Sequence, residues 1–327
     1  MNKKIKIQRI LITGGMGYIG SFTCKEYHEK FKLKPISIDN LQRSNIDAKF
    51  YCKNFKINIS NNNKIKKIIL ENNIKKIIHL AGYTCVRESI KKPKLYYYNN
   101  YLKQIDFIKI AKKIGINYFI FSSTSSIYED NKIKKNLSNY SKYKFKIENY
   151  LKKNASKNFK VIILRYPNVT GADRLGKLGD RNHKVTRIFK IFFKKIIQKK
   201  PVTIFLNKLN NQFPIRNYIH VEDVASINIK LISNNNLFKK KYFQIFDLKS
   251  NLELDNYKIL NSMFRLMKKK TKVLFKQIHN KESLNSLINF SHKNKLINIS
   301  RKKTSLDYIL KTNLNWFNKI KKEILNS

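Results

Sequence analysis

The sequence has few of the residues that cross-link small secreted proteins or hold structural metals. Its 327 residues include only three cysteines, Cys24, Cys52 and Cys85. They form no Cys-x-x-Cys pair and leave an odd thiol, which argues against a secreted disulfide framework and against a zinc site. We therefore predict a cytoplasmic protein that binds no metal.

Long apolar runs are also missing. No stretch of 18 apolar residues occurs, so we expect no segment to span a membrane. The apolar run at 10–12 is too short for the core of a signal peptide and ends at Thr13. With 42% hydrophobic residues, the chain is still long enough to bury a sizeable core, in one large domain or two smaller ones.

Acidic residues are scarce: 20 Asp and Glu accompany 70 Lys and Arg, which gives a formal net charge of +50 at pH 7. Such an excess alone would favour nucleic acid, an anionic membrane surface or a negatively charged substrate as partner. However, the lysines are scattered along the whole chain and alternate with isoleucine, a pattern typical of the solvated side of amphipathic helices. We expect nonspecific anion binding but no specific nucleic-acid partner.

Short β-branched runs alternate with longer helical patterns in the first half of the chain, which is typical of βαβ units on a parallel sheet. The predicted strands are 7–13, 35–39, 55–59, 76–80, 118–122 and 161–166, and the predicted helices are 18–30, 63–72, 93–114 and 139–154. Right-handed crossovers would wind them into a Rossmann-type doubly wound α/β fold. After Tyr166 the alternation stops, and we predict only a helix at about 183–198, a strand at 202–205 and a strand-like segment, FQIFDL.

A glycine-rich turn follows the first predicted strand and opens directly into a helix. Its G-x-x-G-x-x-G spacing lets Gly14 make a tight turn, Gly17 bring the backbone against a pyrophosphate and Gly20 pack the helix on its strand. The helix amino terminus would face the phosphates with its free N–H groups and positive dipole end. The segment therefore predicts a dinucleotide site.

Asp39 ends the second predicted strand, about 25 residues after the first glycine. A carboxylate there can accept both hydroxyls of the adenosine ribose and would repel a 2′-phosphate, which favours NAD over NADP. The nearby Arg43 could soften that preference. The alternative is that Asp39 and Asn40 form an ordinary turn at the end of a strand.

Tyr140 and Lys144 stand four residues apart at the start of a predicted helix, so they share one face. An ammonium beside a phenol favours the phenolate and gives a base that is usable near neutral pH. In a chain with 18 tyrosines this spacing alone says little, but a hydroxyl cluster at 122–126 ends the preceding strand, where ligands bind in such sheets. The alternative interpretation of this hydroxyl cluster is a polar loop. Separately, His79 and His220 show no metal-site spacing, and we predict that both are packed, hydrogen-bonded histidines.

The segments ILITGGMGYIGS, SIDNL, IIHLAG, ESIKKP, YYYNN, FIFSSTSSIY, NYSKYK, ILRYPNVTGA and RNYIHVEDVA, in this order, resemble those of the UDP-glucose 4-epimerases. These are extended short-chain dehydrogenases/reductases of the NAD-dependent epimerase/dehydratase family. The resemblance covers residues 10–224. It implies NAD as cofactor, a nucleotide sugar as substrate, and a homodimer in which helices 93–114 and 139–154 pair across a two-fold axis.

The resemblance also implies roles for individual residues. Thr124 stands at the position of the family's catalytic serine, Tyr140 would be the acid/base, and Lys144 would bind the nicotinamide ribose. Cofactor contacts are implied for Gly14, Gly17, Tyr18, Ile19, Gly20, Asp39, Asn40, Asn58, Ile59, Leu80, Ala81, Gly82, Asn99, Tyr140, Lys144 and Pro167. Sugar-nucleotide contacts are implied for Thr124, Asn168, Phe205 and Arg216.

Several positions depart from the family pattern. Asn58 replaces a usual aspartate, Pro167 a usual phenylalanine and Asn217 the aspartate of the RDYIHV motif. The C-terminal R-x-G-D motif, which meets the nucleotide diphosphate, is absent, and the segment 279–283 stands near its place. Lys281 there could supply a point charge but not a bidentate fork.

The resemblance implies that the protein is an isomerase of carbohydrate metabolism. It would invert C4 of a nucleotide-linked hexose through a transient 4-keto sugar. Two alternatives stay open: another nucleotide-sugar enzyme of the extended family, such as a different epimerase or a 4-keto reductase, and an NAD-binding protein that has lost catalysis. We assign 1–166 and 217–248 to the NAD-binding domain, and 167–216 and 249–327 to a smaller substrate domain.

Overall fold

The computed structural model describes residues 9–42, 46–129, 132–181, 186–206, 212–238, 241–277, 285–286, 295–298 and 303–326. The chain forms two compact units. The first comprises 1–124, 136–166 and 224–247, and the second comprises 125–135, 167–223 and 248–327. Each unit has its own hydrophobic core.

A parallel sheet of seven strands forms the centre of the first unit. In chain order the strands are β1 (Ile10–Thr13), β2 (Ile36–Asp39), β3 (Lys53–Lys56), β4 (Lys76–His79), β5 (Tyr118–Thr124), β6 (Lys160–Tyr166) and β7 (Phe243–Lys249). Their order across the sheet is β7-β6-β5-β4-β1-β2-β3, with every adjacent pair parallel. The strand order reverses next to β1, and ligands of doubly wound sheets bind at such a point, outside the carboxyl ends of the strands.

Helices connect these strands. They are α1 (Tyr18–Phe31), α2 (Asn62–Glu71), α3 (Val86–Lys91), α4 (Pro93–Tyr97), α5 (Lys103–Lys113), α6 (Asn139–Asn154) and α7 (Val221–Ser233). Central strands are buried on both faces and therefore apolar throughout, as in Tyr118–Phe121 and Val161–Leu164, which are at most 3% exposed. Isoleucines and phenylalanines of α2, α5 and α6 complete the core.

A π-helical turn, Tyr98–Leu102, separates α4 from α5. The Lys103 N–H donates to the carbonyl of Tyr98, five residues earlier. The sequence predicted one continuous helix over 93–114, and this was wrong in detail because helical periodicity does not register a single wide turn. The turn carries Asn99 and Asn100.

The second unit consists of small sheets and packed helices. Strands Asn168–Thr170, Ile215–His220, Glu253–Asp255 and Asn285–Ser286 form one sheet, Val202–Leu206 and Val273–Gln277 a second, and Tyr128–Glu129 and Lys132–Ile133 a third. A further strand is Lys295–Asn298, and the helices are Ile188–Ile197, Asn256–Met267, Leu306–Lys319 and Lys321–Leu325. Phe189, Phe192, Phe193 and Trp316 anchor the core of this unit.

The structure differs from the sequence prediction in several boundaries. Strand β3 lies at Lys53–Lys56, not at 55–59, because it pairs with β2 from Ile36 to Asp39 and β2 ends there. The helix predicted over 183–198 spans Ile188–Ile197; residues 183–185 lie outside the described part of the chain. Segments 125–135 and 217–223, which the sequence assigned to the first domain, group with the second unit.

Candidate active site

The glycine-rich turn between β1 and α1 depends on glycine at two positions. Gly14 has a φ of +68°, which side chains with a Cβ rarely adopt. A Cβ on Gly20 would lie 2.0 Å from the Gly14 carbonyl oxygen, so the helix packs on the turn by backbone contact. Gly17 is the N-cap of α1, and because it has no side chain it leaves the first N–H groups of the helix to a ligand.

Asp39, at the carboxyl end of β2, is adjacent to this turn. Its Oδ2 accepts from the Met16 N–H at 3.1 Å and its Oδ1 from the Leu41 N–H at 2.8 Å. Burial raises the pKa of Asp39, whereas the N–H groups of Leu41, Met16 and Gly17 lower it. Its position beside the pyrophosphate turn is the one expected for a residue that binds a ribose diol.

Beneath the strand ends lies a buried polar chain centred on His79, which is packed and hydrogen-bonded as the sequence predicted. Its partners, Thr13 and Gln104, were not predicted. The Thr13 hydroxyl and His79 Nδ1 are 2.7 Å apart, and His79 Nε2 is hydrogen-bonded to Gln104 Oε1. Burial lowers the pKa of His79 to about 3, helped by the charge of Lys144 and opposed by the bond to Gln104. His79 is therefore neutral and structural, and its ring stacks on Phe107.

This chain holds the backbone of several predicted cofactor contacts. The Ala81 N–H donates to the Thr13 hydroxyl at 3.2 Å. Gln104 Nε2 donates to the carbonyl oxygens of Ala81, at 3.3 Å, and Asn99, at 2.8 Å. The segment after β4 and the π-helical turn are thus fixed to each other, which brings Leu80, Ala81, Gly82 and Asn99 to one end of the sheet.

The remaining cofactor positions of the first unit occupy the neighbouring turns. Tyr18 and Ile19 form the first turn of α1, and Asn40 follows Asp39. The side-chain oxygen of Asn58 accepts from the N–H of Ser60 at 3.1 Å and so closes a tight turn. Ile59, the next residue, is buried. Pro167 belongs to the second unit, directly after β6.

Thr124, Tyr140 and Lys144 lie on β5 and α6. Thr124 is the last residue of β5, Tyr140 lies in the first turn of α6, and Lys144 one turn later. Ser138 caps the helix, accepting from the Ser141 N–H at 3.2 Å. Lys144 Nζ donates to the Ser122 carbonyl at 2.7 Å, which ties the helix to the end of β5.

The surroundings of Lys144 strongly perturb its pKa. This side chain is 5% exposed, and its ammonium lies over the Phe121 ring, 4.7 Å from the centroid. Burial lowers the pKa of Lys144 to about 8, and the carboxylate of Glu148 partly opposes this shift. Perturbed lysines of this kind cluster at functional sites.

A buried ion pair anchors the same helix one turn further on. Glu148 of α6 accepts from Arg165 of β6 through both oxygens, Oε1 from Nε at 3.1 Å and Oε2 from Nη2 at 2.5 Å. The Ser123 hydroxyl donates to Oε1, and Asp247 of β7 lies 3.9 Å from Nη1 of the same arginine. Sequence reasoning missed this group, although an arginine in an otherwise apolar strand was a signal.

Three of the four predicted substrate residues lie in the second unit, on two different sheets, whereas the fourth, Thr124, ends β5 in the first unit. Asn168 and Arg216 are on adjacent parallel strands, and Asn168 Nδ2 donates to the Asn217 carbonyl at 3.1 Å. Arg216 Nη1 donates to the Ile215 carbonyl at 2.8 Å. Phe205 is half-buried on the strand Val202–Leu206. Arg43 and the segment 279–283 lie outside the described residues.

His220 is packed in the second unit. It is fully buried, its Nε2 lies 3.3 Å from the Thr312 hydroxyl, and burial lowers its pKa to about 3. Within the described ranges, no group of three or more His, Cys, Asp or Glu could hold a metal ion. Over the same ranges no helix is both long and apolar enough to cross a bilayer.

Comparisons with known proteins agree with this arrangement. Residues 10–245 match the NAD dependent epimerase/dehydratase family. The chain is 32% identical to the UDP-glucose 4-epimerase of Pasteurella multocida over 253 residues, which are 69% of this chain and 73% of that one. The UDP-glucose 4-epimerase of Haemophilus influenzae is 31% identical over 256 residues, with the same coverage.

Solved structures show the same fold. The UDP-glucose 4-epimerase of Bifidobacterium longum, in complex with NAD+ and UDP, has a TM-score of 0.82 at 21% identity and matches 97% of this chain and 100% of its own. That of Stenotrophomonas maltophila, with bound NAD and formylated UDP-arabinopyranose, has a TM-score of 0.83 at 18% identity, over 97% and 99% of the two chains.

The fold and cofactor predictions are therefore confirmed, and the cofactor is NAD. The glycine turn, the adjacent Asp39 and the backbone segment after β4 fit a dinucleotide across the strand ends of the first unit. The chain belongs to the NAD-dependent epimerase/dehydratase family, the extended short-chain dehydrogenases/reductases.

Proposed function

We propose that this protein is a UDP-glucose 4-epimerase-like enzyme that inverts C4 of a nucleotide-linked hexose through a transient 4-keto sugar. The main support is the placement of Thr124, Tyr140 and Lys144 on the end of β5 and the first turns of α6, in a chain whose 32% identical relative is a UDP-glucose 4-epimerase. A 4-keto reductase on the same fold would differ in showing net redox change.

When bound, NAD supplies the acceptor and donor of hydride for the sugar carbon. The phenolate of Tyr140 takes the proton of the C4 hydroxyl and returns it to the C4 oxygen after the keto sugar has turned its other face to the cofactor. The Thr124 hydroxyl donates a hydrogen bond to the reacting oxygen. Lys144, held by the Ser122 carbonyl, supplies positive charge that favours the phenolate.

The Tyr140→Phe variant tests the proposal. We expect turnover of UDP-galactose to fall by about 10²–10⁴ while NAD content per chain stays unchanged, because the phenol acts on the sugar. Tyr143→Phe is the matched control, since Tyr143 lies on the same helix and packs against Tyr97 and Tyr101. Stereochemistry at C4, read by NMR with a panel of nucleotide sugars, identifies the substrate.

Three outcomes would contradict the proposal. Full activity of Tyr140→Phe would remove this residue from the mechanism. A requirement for added NADPH with a net absorbance change would indicate a reductase. Normal nucleotide-sugar affinity without turnover of any sugar in the panel would indicate a binding protein.

On the substrate side we propose that Arg216, Asn168 and Phe205 hold the nucleotide diphosphate and its base. Arg216 is half-buried on an interior strand of its sheet, and a guanidinium can bind a phosphate through two parallel hydrogen bonds. Asn168 is exposed on the adjacent strand, so both polar side chains belong to one sheet.

We also propose a cytoplasmic homodimer that pairs through α4, α5 and α6. Support comes from exposed large apolar residues on α4 and on the π-helical turn that joins it to α5: Tyr97 is 42% and Tyr98 59% exposed. Sedimentation of Tyr97→Glu tests this proposal. A monomeric variant is expected, whereas an unchanged dimer would place the interface elsewhere.

A further inference from the structure

The segments that follow β2 and β4 are joined by a side-chain hydrogen bond that the proposed mechanism does not use. The Tyr83 hydroxyl donates to Gln42 Oε1 at 2.8 Å, although the two residues are 41 positions apart in the sequence. Tyr83 directly follows the cofactor position Gly82, and Gln42 lies shortly after Asp39. The sequence predicted no role for either residue. We call this hydrogen bond the Tyr83–Gln42 bridge.

The position of the bridge follows from the order of the strands. β1 lies between β4 and β2 in the sheet, and neighbouring strands are about 4.8 Å apart, so β4 and β2 are separated by about 10 Å. A bond between side chains of the two segments that follow them therefore spans the width of β1 near its carboxyl end. The glycine-rich turn begins there, and doubly wound sheets bind their ligands outside these strand ends. The bridge thus extends across one side of the dinucleotide site.

The Tyr83 end of the bridge is held by the π-helical turn. The Tyr83 N–H donates to Asn100 Oδ1 at 3.0 Å, and Asn100 Nδ2 donates to the Tyr83 carbonyl at 2.7 Å. Asn100 is 2% exposed, so this pair of bonds is shielded from water. The Tyr83 ring also packs against Tyr96, with 5.8 Å between the ring centroids. These contacts fix the direction in which the phenol leaves the backbone.

The Gln42 end is held by the turn that carries the proposed ribose ligand. The Leu41 N–H donates to Asp39 Oδ1 at 2.8 Å, and the Gln42 N–H donates to Asn40 Oδ1 at 3.2 Å. Leu41 has a φ of +62°, so the chain turns sharply between Asp39 and Gln42. The bridge therefore connects two segments that are each ordered by their own hydrogen bonds.

The bridge itself lies at the surface. Gln42 is exposed and Tyr83 is half-buried, so water can replace each partner when the bond breaks. A hydrogen bond between neutral side chains shifts a local equilibrium by roughly two- to tenfold. The bond can therefore open and close without unfolding the segments that it joins.

We propose that the Tyr83–Gln42 bridge is a latch on the NAD site, which holds the two cofactor segments together and slows exchange of bound NAD with solvent. The inference rests on NAD as cofactor and applies to any sugar substrate. A cofactor that is regenerated in each turnover does not need to leave the enzyme, so slow exchange does not limit the rate of such a reaction.

A latch has a kinetic signature that distinguishes it from a direct contact with NAD. The bridge joins two protein groups and contains no cofactor atom, so it can close before and after NAD binds. Its loss should speed association and dissociation by the same factor and leave the affinity unchanged. Loss of a direct contact would instead lower the affinity.

The test measures exchange of bound NAD with an excess of isotopically labelled NAD in the holoprotein, without any sugar, by mass spectrometry of the bound nucleotide. Tyr83→Phe removes only the hydroxyl and keeps the ring beside Tyr96, and Gln42→Ala removes the acceptor. We expect each variant to exchange NAD about fivefold faster than the wild type. The double variant should be no faster than either single variant, because all three lack the same hydrogen bond.

Equilibrium dialysis at a fixed NAD concentration should give the wild type and all three variants the same NAD occupancy. Tyr242→Phe is the matched control, since Tyr242 is an exposed tyrosine directly before β7, and it should exchange NAD at the wild-type rate. Circular dichroism establishes that each variant is folded.

Three results would overturn the proposal. The first is exchange at the wild-type rate in Tyr83→Phe. The second is a double variant whose acceleration is the product of those of the single variants, because the two side chains would then act separately. The third is a fall in NAD occupancy that matches the faster exchange, because Tyr83 and Gln42 would then bind the cofactor directly. The measurement needs no sugar, so its outcome is independent of the test of activity with Tyr140→Phe.

Discussion

The two units of the chain place their ion pairs differently. In the first unit, Glu148 and Arg165 form a bidentate pair whose side chains are 2% and 5% exposed. In the second unit, Arg181 and Glu323 form a pair of similar geometry whose side chains are 26% and 42% exposed. The first pair lies under the helix that carries Tyr140 and Lys144, whereas the second joins segments at the surface.

This difference indicates which interactions hold the helices and strands of each unit in place. A buried pair adds little net stability but restricts the conformations that its elements can adopt, because any rearrangement would leave a charge unpaired. We infer that Glu148 and Arg165 hold α6 in place on β6 for catalysis. The second unit depends instead on packed aromatic residues such as Phe193 and Trp316.

The largest effect is expected for Arg165→Leu. The substitution leaves Glu148 and Asp247 buried without their cation, and should lower the free energy of unfolding by about 3–5 kcal/mol. Arg181→Leu, the control in the exposed pair, should cost about 1 kcal/mol or less. Urea unfolding measures both, and equal losses would show that burial does not distinguish the two pairs.

A smaller effect concerns the pH dependence of stability. The pKa of Lys144 is lowered to about 8, below its unfolded value of about 10.4, so between these values the unfolded chain binds more protons. Stability from this group therefore rises with pH in that window, by up to about 1.4 kcal/mol per pH unit. Lys144→Met should be the more stable protein below pH 8 and should lack this rise. Parallel stability curves of the two proteins from pH 7 to 10 would contradict the assignment.

The smallest effect is expected for Arg216→Lys. Lysine keeps the charge but loses the fork that binds a phosphate through two hydrogen bonds, so KM for the nucleotide sugar should rise about tenfold with NAD content unchanged. Arg174→Lys, at an exposed arginine of the same unit, is the control. If both variants have the KM of the wild type, Arg216 does not bind the diphosphate.

The cofactor half of the fold could be predicted from the sequence because its signals are local. The glycine spacing and the β-branched strands each lie within a few residues, and α6 was predicted with its observed bounds, Asn139–Asn154. The structure also gives Gly14 the positive φ, and Gly20 the close backbone contact, that their motif requires.

Other features could not be predicted because they depend on residues far apart in the chain. Gln104 reaches His79 across 25 residues and Arg165 reaches Glu148 across 17, so no local pattern indicates either contact. The helix Val221–Ser233 and the strand Ile215–His220 were not predicted either. The substrate roles of Asn168, Phe205 and Arg216 come from the resemblance alone and stay predictions.

The π-helical turn at Tyr98–Leu102 makes the hydrogen bonds of Asn99 and Asn100 sensitive to the number of residues in this part of the chain. Each helical residue turns the chain by about 100°, so deleting one residue there would rotate Asn100 away from Tyr83, with which it exchanges two hydrogen bonds. The same rotation would separate the Asn99 carbonyl from Gln104. Substitutions in this stretch are therefore more easily accommodated than insertions or deletions, because the number of residues between Gly82 and Gln104 determines which groups of the turn face Tyr83 and Gln104.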